Sequence, residues 1–149
     1  MILPGEEGKI TLGFKTNGYG GKIMKKTTRV NTNDTTNLSF NLIVTGKVEK
    51  VVNIEPEYVY MAGKTGQTLE SFVRITPFDK YKFSITGLTQ KMNAGIKAFI
   101  QVPKKNKKTW NIRITANSYK PIKLHDVLTF STDSEYMPDL EVKVYATFH

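Results

Sequence analysis

The 149 residues carry 22 Lys and Arg against 13 Asp and Glu, a formal net charge of +9, with 39% hydrophobic and 23% charged residues and no cysteine. That balance belongs to a chain able to bury a core, and the lack of cysteine excludes a disulfide framework, a thiolate metal site and a cysteine nucleophile. The longest apolar runs, such as Leu42-Ile43-Val44, fall far short of the ~20 residues a membrane-spanning helix needs, and the positive charge favours acidic partners without choosing among nucleic acid, an anionic surface and an acidic protein.

The chain opens on Met1-Ile2-Leu3-Pro4-Gly5-Glu6-Glu7, which has neither the basic start nor the apolar core of a signal peptide. Next, Ile10, Leu12 and Phe14 alternate with Lys9, Thr11, Gly13 and Lys15, the period of two that marks a half-buried strand. Leu38, Phe40, Leu42 and Val44 alternate in the same way with Ser39, Asn41 and Thr45, Ile43 adding an apolar outer position. Further strands are predicted at residues 72–75, 81–85, 96–102, 110–114, 127–130 and 140–145. Turn formers separate them: Thr16-Asn17-Gly18, Gly20-Gly21, Asn33-Asp34, Thr86-Gly87, Lys105-Asn106 and Asp133-Ser134. No stretch of eleven or more residues keeps the i, i+3, i+4, i+7 spacing of an amphipathic helix. Many short strands with frequent turns predict an all-β sandwich or barrel.

An internal repeat narrows that choice. An offset of 100 sets Ile10 on Trp110, Leu12 on Ile112, Phe14 on Ile114, Asn17 on Asn117, Tyr19 on Tyr119, Val30 on Phe130, Thr32 on Thr132 and Asn33 on Asp133. A two-residue insertion in the later copy then sets Leu38, Phe40, Leu42 and Val44 on Leu140, Val142, Val144 and Ala146. A period near 100 is the size of one immunoglobulin-like domain. The expectation is a tandem repeat: residues 1–52 form the C-terminal half of a first immunoglobulin-like domain and 53–149 a complete second β-sandwich, with the boundary near Val51 to Pro56. The chain is then a fragment of a longer protein. Three strands within residues 9–48 would expose an apolar face and open edges, which are not stable alone in water, so either they pack on the complete domain or two copies pair as a homodimer. The second is preferred.

Leu3-Pro4-Gly5-Glu6-Glu7-Gly8-Lys9-Ile10, Gly20-Gly21-Lys22, Val30-Asn31-Thr32-Asn33-Asp34 and Leu42-Ile43-Val44-Thr45-Gly46-Lys47-Val48 together resemble the C-terminal half of the ASH-like (Hydin-type) and PapD/major-sperm-protein-like immunoglobulin domains of many uncharacterised bacterial proteins. The resemblance covers residues 1 to about 52, and 108–149 more loosely. It implies an extracytoplasmic or surface module, commonly in tandem, whose eukaryotic relatives bind proteins.

Candidate chemistry is sparse. Ala62-Gly63-Lys64-Thr65 has the end of a phosphate-binding loop, but Tyr58 stands where that loop needs its first glycine, so a strand connection is the better reading. His125-Asp126 offers a base with an orienting carboxylate, without a nucleophile placed to receive it. Asp133, Ser134, Glu135 and Asp139 could offer oxygens to calcium; a turn is the simpler role. Lys104, Lys105, Lys107 and Lys108 ahead of Trp110 form the densest basic run, and Lys22, Lys25, Lys26 and Arg29 a second. Lysines beside an aromatic suit a polyanion whose bases stack. Yet Trp110 takes the repeat position of Ile10, an apolar site, and lysines at edges also protect sheets from aggregation.

The reading is therefore a non-enzymatic immunoglobulin-like spacer or protein-interaction module, outside the cytoplasm of a bacterium, with no cofactor, metal site or catalytic residue. The alternative is a basic domain binding nucleic acid or another polyanion through Lys104, Lys105, Lys107 and Lys108.

Overall fold

The computed structural model describes residues 6–16, 18–91, 95–104 and 107–149. The Leu3-Pro4-Gly5 motif, Asn17, Lys105 and Asn106 lie outside the described residues. Among those described there is no α-helix, only one 3-10 turn at Asp79–Tyr81 between ten strands. The chain divides into two compact units, one ending at Lys50 and one running Val51–His149.

The first unit holds an antiparallel hairpin of β1 (Ile23–Asn31) and β2 (Ser39–Lys47). Alternation puts Met24, Lys26, Thr28 and Val30 of β1 on one face, opposite Gly46, Val44, Leu42 and Phe40 of β2. No side chain of either strand is fully buried.

The predicted strand over residues 9–15 does not form: residues 6–16 carry no sheet pairing, although Leu12 and Phe14 are half-buried. A strand needs a ladder as well as an alternating sequence. One hundred positions later, β8 (Trp110–Asn117) is paired on both sides, by β5 (Thr68–Pro77) and β7 (Ile96–Gln101).

The second unit is a sandwich of two four-stranded sheets. One has the order β3-β5-β8-β7, with β3 at Val52–Glu55. The other has the order β4-β10-β9-β6, with β4 at Tyr58–Gly63, β6 at Ile85–Gln90, β9 at Ile122–Thr132 and β10 at Asp139–Phe148. All neighbours are antiparallel except β4, which runs parallel to β10. This is the strand arrangement of an immunoglobulin-like sandwich, the first, second, fifth and fourth strands of the fold in one sheet and the third, sixth and seventh in the other. The opening strand is split: β3 joins one sheet, and after Glu55-Pro56, a cis peptide, β4 joins the other. Proline has no N–H to give a ladder and sits naturally at such a break.

The inner faces meet in one core. Val73, Ile75, Ile112 and Ile114 from one sheet oppose Val59, Leu128, Phe130, Val142 and Val144 from the other, none more than 1% exposed. Each such side chain contributes roughly 1.5–3 kcal/mol by leaving water. Trp110 is half-buried against this core.

The strand predicted over residues 81–85 is displaced. Asp79–Tyr81 is a helical turn, and pairing begins at Ile85 and runs through Gly87, where the register with β9 shifts. Thr86-Gly87 reads as a turn in sequence because glycine is depleted from strands, yet glycine inside a strand often marks a bulge.

Candidate functional site

The sequence-predicted candidates come apart in three dimensions. His125 and Asp126 are adjacent on β9 and therefore point to opposite faces. His125 is exposed, while Asp126 is 1% exposed. Gln90 Nε2 donates to Asp126 Oδ2 at 3.2 Å, and the Val127 amide donates to Oδ1 at 2.7 Å. Asp126 is thus held as a satisfied polar group of the interior, turned away from the imidazole.

The glycine-lysine segment is a strand connection whose amides are already used. Lys64 N–H donates to Gln67 Oε1, Thr65 N–H to the His149 carbonyl, Gly66 N–H to the Ser118 carbonyl and Gln67 N–H to the Lys64 carbonyl. Nothing is left to cradle a phosphate. A Cβ at Gly63 would meet the end of the Leu69 side chain, which would have to shift to admit it.

In the acidic turn, Asp133 Oδ1 accepts the Ser84 amide at 2.6 Å and Asp139 Oδ1 accepts the Ser131 hydroxyl at 3.3 Å. Among the described residues no group of three or more His, Asp or Glu could hold a metal ion.

Lys104 and Lys107 close a turn through Lys107 N–H and the Lys104 carbonyl, and the Lys108 ammonium pairs with Asp79. In the other run Lys25 and Arg29 share one face of β1 and Lys26 takes the opposite face. Arg29 Nη2 donates to Ser39 Oγ at 2.9 Å, and Lys26 Nζ lies 6.0 Å from the Tyr19 ring centre.

What the fold does assemble lies on the outer face of the β3-β5-β8-β7 sheet. Register places Glu55 opposite Arg74, Arg74 opposite Asn111 and Asn111 opposite Gln101, a polar row crossing all four strands. The next row is Phe72, Arg113 and Phe99. Phe72, 54% exposed, joins the polar row around an open concavity of about 770 Å³, lined also by Ile54 and Pro56. Both guanidinium groups are matched by carboxylates: Arg74 Nη2 lies 3.4 Å from Glu55 Oε2, and Arg113 Nη1 lies 3.3 Å from Glu70 Oε1. Arg113 also lies 5.1 Å from the Phe99 ring centre, a cation–π contact. The opposite sheet presents a second aromatic row, with Tyr60 and Tyr145 stacked at 5.2 Å and Lys143 5.5 Å from the Tyr58 ring centre. Sequence reasoning missed the polar row because its members come from four separated segments. The available signal was the polar half of each alternating strand.

No family model matches the chain, and no curated protein matches it. Among solved structures, the chain is similar to a protein of unknown function from Porphyromonas gingivalis W83, with a TM-score of 0.55 and 12% identity over 89% of this chain and 68% of that one. At that identity the likeness shows the fold alone. Surface layer protein SbsC, domains 1–6, gives a TM-score of 0.44 at 13% identity, over 86% of this chain and 17% of that one. The S-layer protein rSbsC(31-844) gives 0.43 at 14% identity, over 83% and 16%. No helix among the described residues is long and apolar enough to cross a membrane.

Proposed function

We propose that this chain is a non-enzymatic immunoglobulin-like spacer or protein-interaction module of a larger bacterial protein, working outside the cytoplasm. One observation carries the reading: the same hairpin occurs twice. Asn31 pairs with Ser39 in the first unit and Ser131 with Asp139 in the second, and Val30 with Phe40 as Phe130 with Leu140. Both turns are closed by one threonine. Thr32 N–H donates to the Leu38 carbonyl, Thr32 Oγ1 donates to the Asn37 carbonyl, and Asp34 N–H donates back to Thr32 Oγ1. Thr132 makes the same three bonds with Pro138, Met137 and Ser134.

The register also revises the alignment. Leu38, Phe40, Leu42 and Val44 correspond to Pro138, Leu140, Val142 and Val144, with no two-residue insertion. Apolar identity drew Leu38 onto Leu140, but the position supplies only a carbonyl, which proline offers equally. On this reading residues 1–52 are the C-terminal half of a domain of the kind that residues 53–149 form completely, in the manner of ASH-like and PapD-like arrays.

The open hairpin is completed by strands of another copy, giving a homodimer. Lys26, within the apolar face, would lay its stem along the interface and carry its ammonium to the rim. Polyanion binding is the weaker reading, because the Lys108 ammonium pairs with Asp79 and, in the other run, Lys25 and Lys26 take opposite faces of β1.

Light scattering of the chain, with and without duplex DNA, at roughly 50 and 200 mM salt tests the reading, because phosphate-driven affinity falls steeply over that range. The expected result is a dimer mass indifferent to salt and to DNA. A monomer removes the pairing, and a DNA complex lost at the higher salt would replace the module reading with the basic one.

A further inference from the structure

We infer that the outer face of the β3-β5-β8-β7 sheet is a binding site for a neutral oligosaccharide, seated on Phe72 along the row Glu55, Arg74, Asn111 and Gln101. The row crosses three inter-strand spacings, roughly 14 Å, room for a short extended sugar chain, and it lines an open concavity of about 770 Å³. Its chemistry fits hydroxyl groups. Asn111 and Gln101 each present a donor and an acceptor side by side, matching a hydroxyl that both gives and takes a hydrogen bond. Arg74 adds further guanidinium donors beside its pairing with Glu55, whose other oxygen, Oε1, accepts from Asn53 Nδ2. The Phe72 ring, 54% exposed, offers the flat apolar surface on which the C–H face of a sugar packs.

Charge decides against an anion. The chain as a whole carries +9, yet on this face Arg74 is matched by Glu55 and Arg113 by Glu70. Around the concavity itself the charges are matched, Lys97 being a further cation of this face that stands opposite Thr115, two rows from Asn111, and selectivity there rests on shape and hydrogen bonds.

The test is a ¹⁵N–¹H NMR titration of the whole chain with cellohexaose, mannohexaose and a heparin-derived hexasaccharide, following the side-chain amides of Asn111 and Gln101. Saturable shifts of both amides with a neutral hexasaccharide, unchanged by added salt, are expected. Phe72→Ala and Asn111→Ala should each weaken binding roughly tenfold, the loss of one good contact. Tyr60→Ala, on the other sheet, should bind as the parent does. If Phe72→Ala does not fold, Phe72→Leu keeps apolar bulk while removing the ring. Absence of saturable shifts with both neutral sugars, affinity unchanged from the parent's in the Phe72 and Asn111 variants, or preference for the heparin fragment overturns the assignment.

Discussion

In the hairpin β9–β10 the inward residues Leu128, Phe130, Leu140, Val142 and Val144 are at most 2% exposed, whereas Phe40 and Val44 at matching register positions of β1–β2 are 40% and 41% exposed. Pairing register, turn and alternation are shared. The difference lies in what stands across from them. In the second unit β5 and β8 present Val73, Ile75, Ile112 and Ile114 to the same interior, while the described residues of the first unit include its hairpin and a segment over residues 6–16 without strand pairing. Local rules make a hairpin; burial, which supplies most of its stability, comes from the opposing sheet. At the register position where the second hairpin buries Asp126, the first carries the exposed Lys26. A buried charge is tolerated only with partners, and Gln90 and the Val127 amide serve Asp126.

The widest break between the two hairpins should come from truncating matched inward residues. Phe130→Ala is expected to cost about 3–5 kcal/mol through lost burial and a cavity, read as a lower urea midpoint in the fluorescence of Trp110. Val30→Ala, at the equivalent place, should move that midpoint by about 0.5 kcal/mol or less. Equal losses would mean that the first hairpin is buried as deeply as the second.

The threonine turns give a smaller contrast. Thr132→Val removes a donor and an acceptor from a turn attached to the core and should destabilise the second unit by about 1 kcal/mol. Thr32→Val should leave the same transition in place and appear instead as faster hydrogen exchange at the Asp34 amide, a local opening.

The smallest effect sharpens the one electrostatic feature peculiar to the first turn. The Thr36 hydroxyl, and after it the Thr36 amide, hold the exposed Asp34 carboxyl below the usual carboxylate range. A carboxyl depressed on folding stabilises its turn above its unfolded pKa, and that stabilisation is lost as pH falls through the folded pKa. Thr36→Val should raise the Asp34 pKa toward the ordinary value in a carboxyl-carbon NMR titration. An unmoved pKa would assign the depression to the backbone amide.

Much of this was legible in the sequence, and the failures have a common cause. Alternation located β2, β5, β7, β8, β9 and β10, because the period of two follows from strand geometry itself. The same signal at Ile10, Leu12 and Phe14 predicted a strand that does not form, since alternation reports a preference for one face and says nothing about a ladder partner. At Gly87 composition suggested a turn, and a neighbouring strand able to absorb a bulge decided otherwise. Lys104, Lys105, Lys107 and Lys108 stood out in the sequence because they are close together there. The face that carries Glu55, Arg74, Asn111 and Gln101 did not, because they are scattered.

The sequence by itself determined the all-β class and the strand alternation, both set by interactions within a few residues or across one turn. Only the tertiary structure decided which strands find partners, which apolar faces are covered and which polar side chains meet in one row. Those outcomes depend on contacts between distant segments, and sheet pairing joins such segments through backbone hydrogen bonds that any sequence of suitable shape can make.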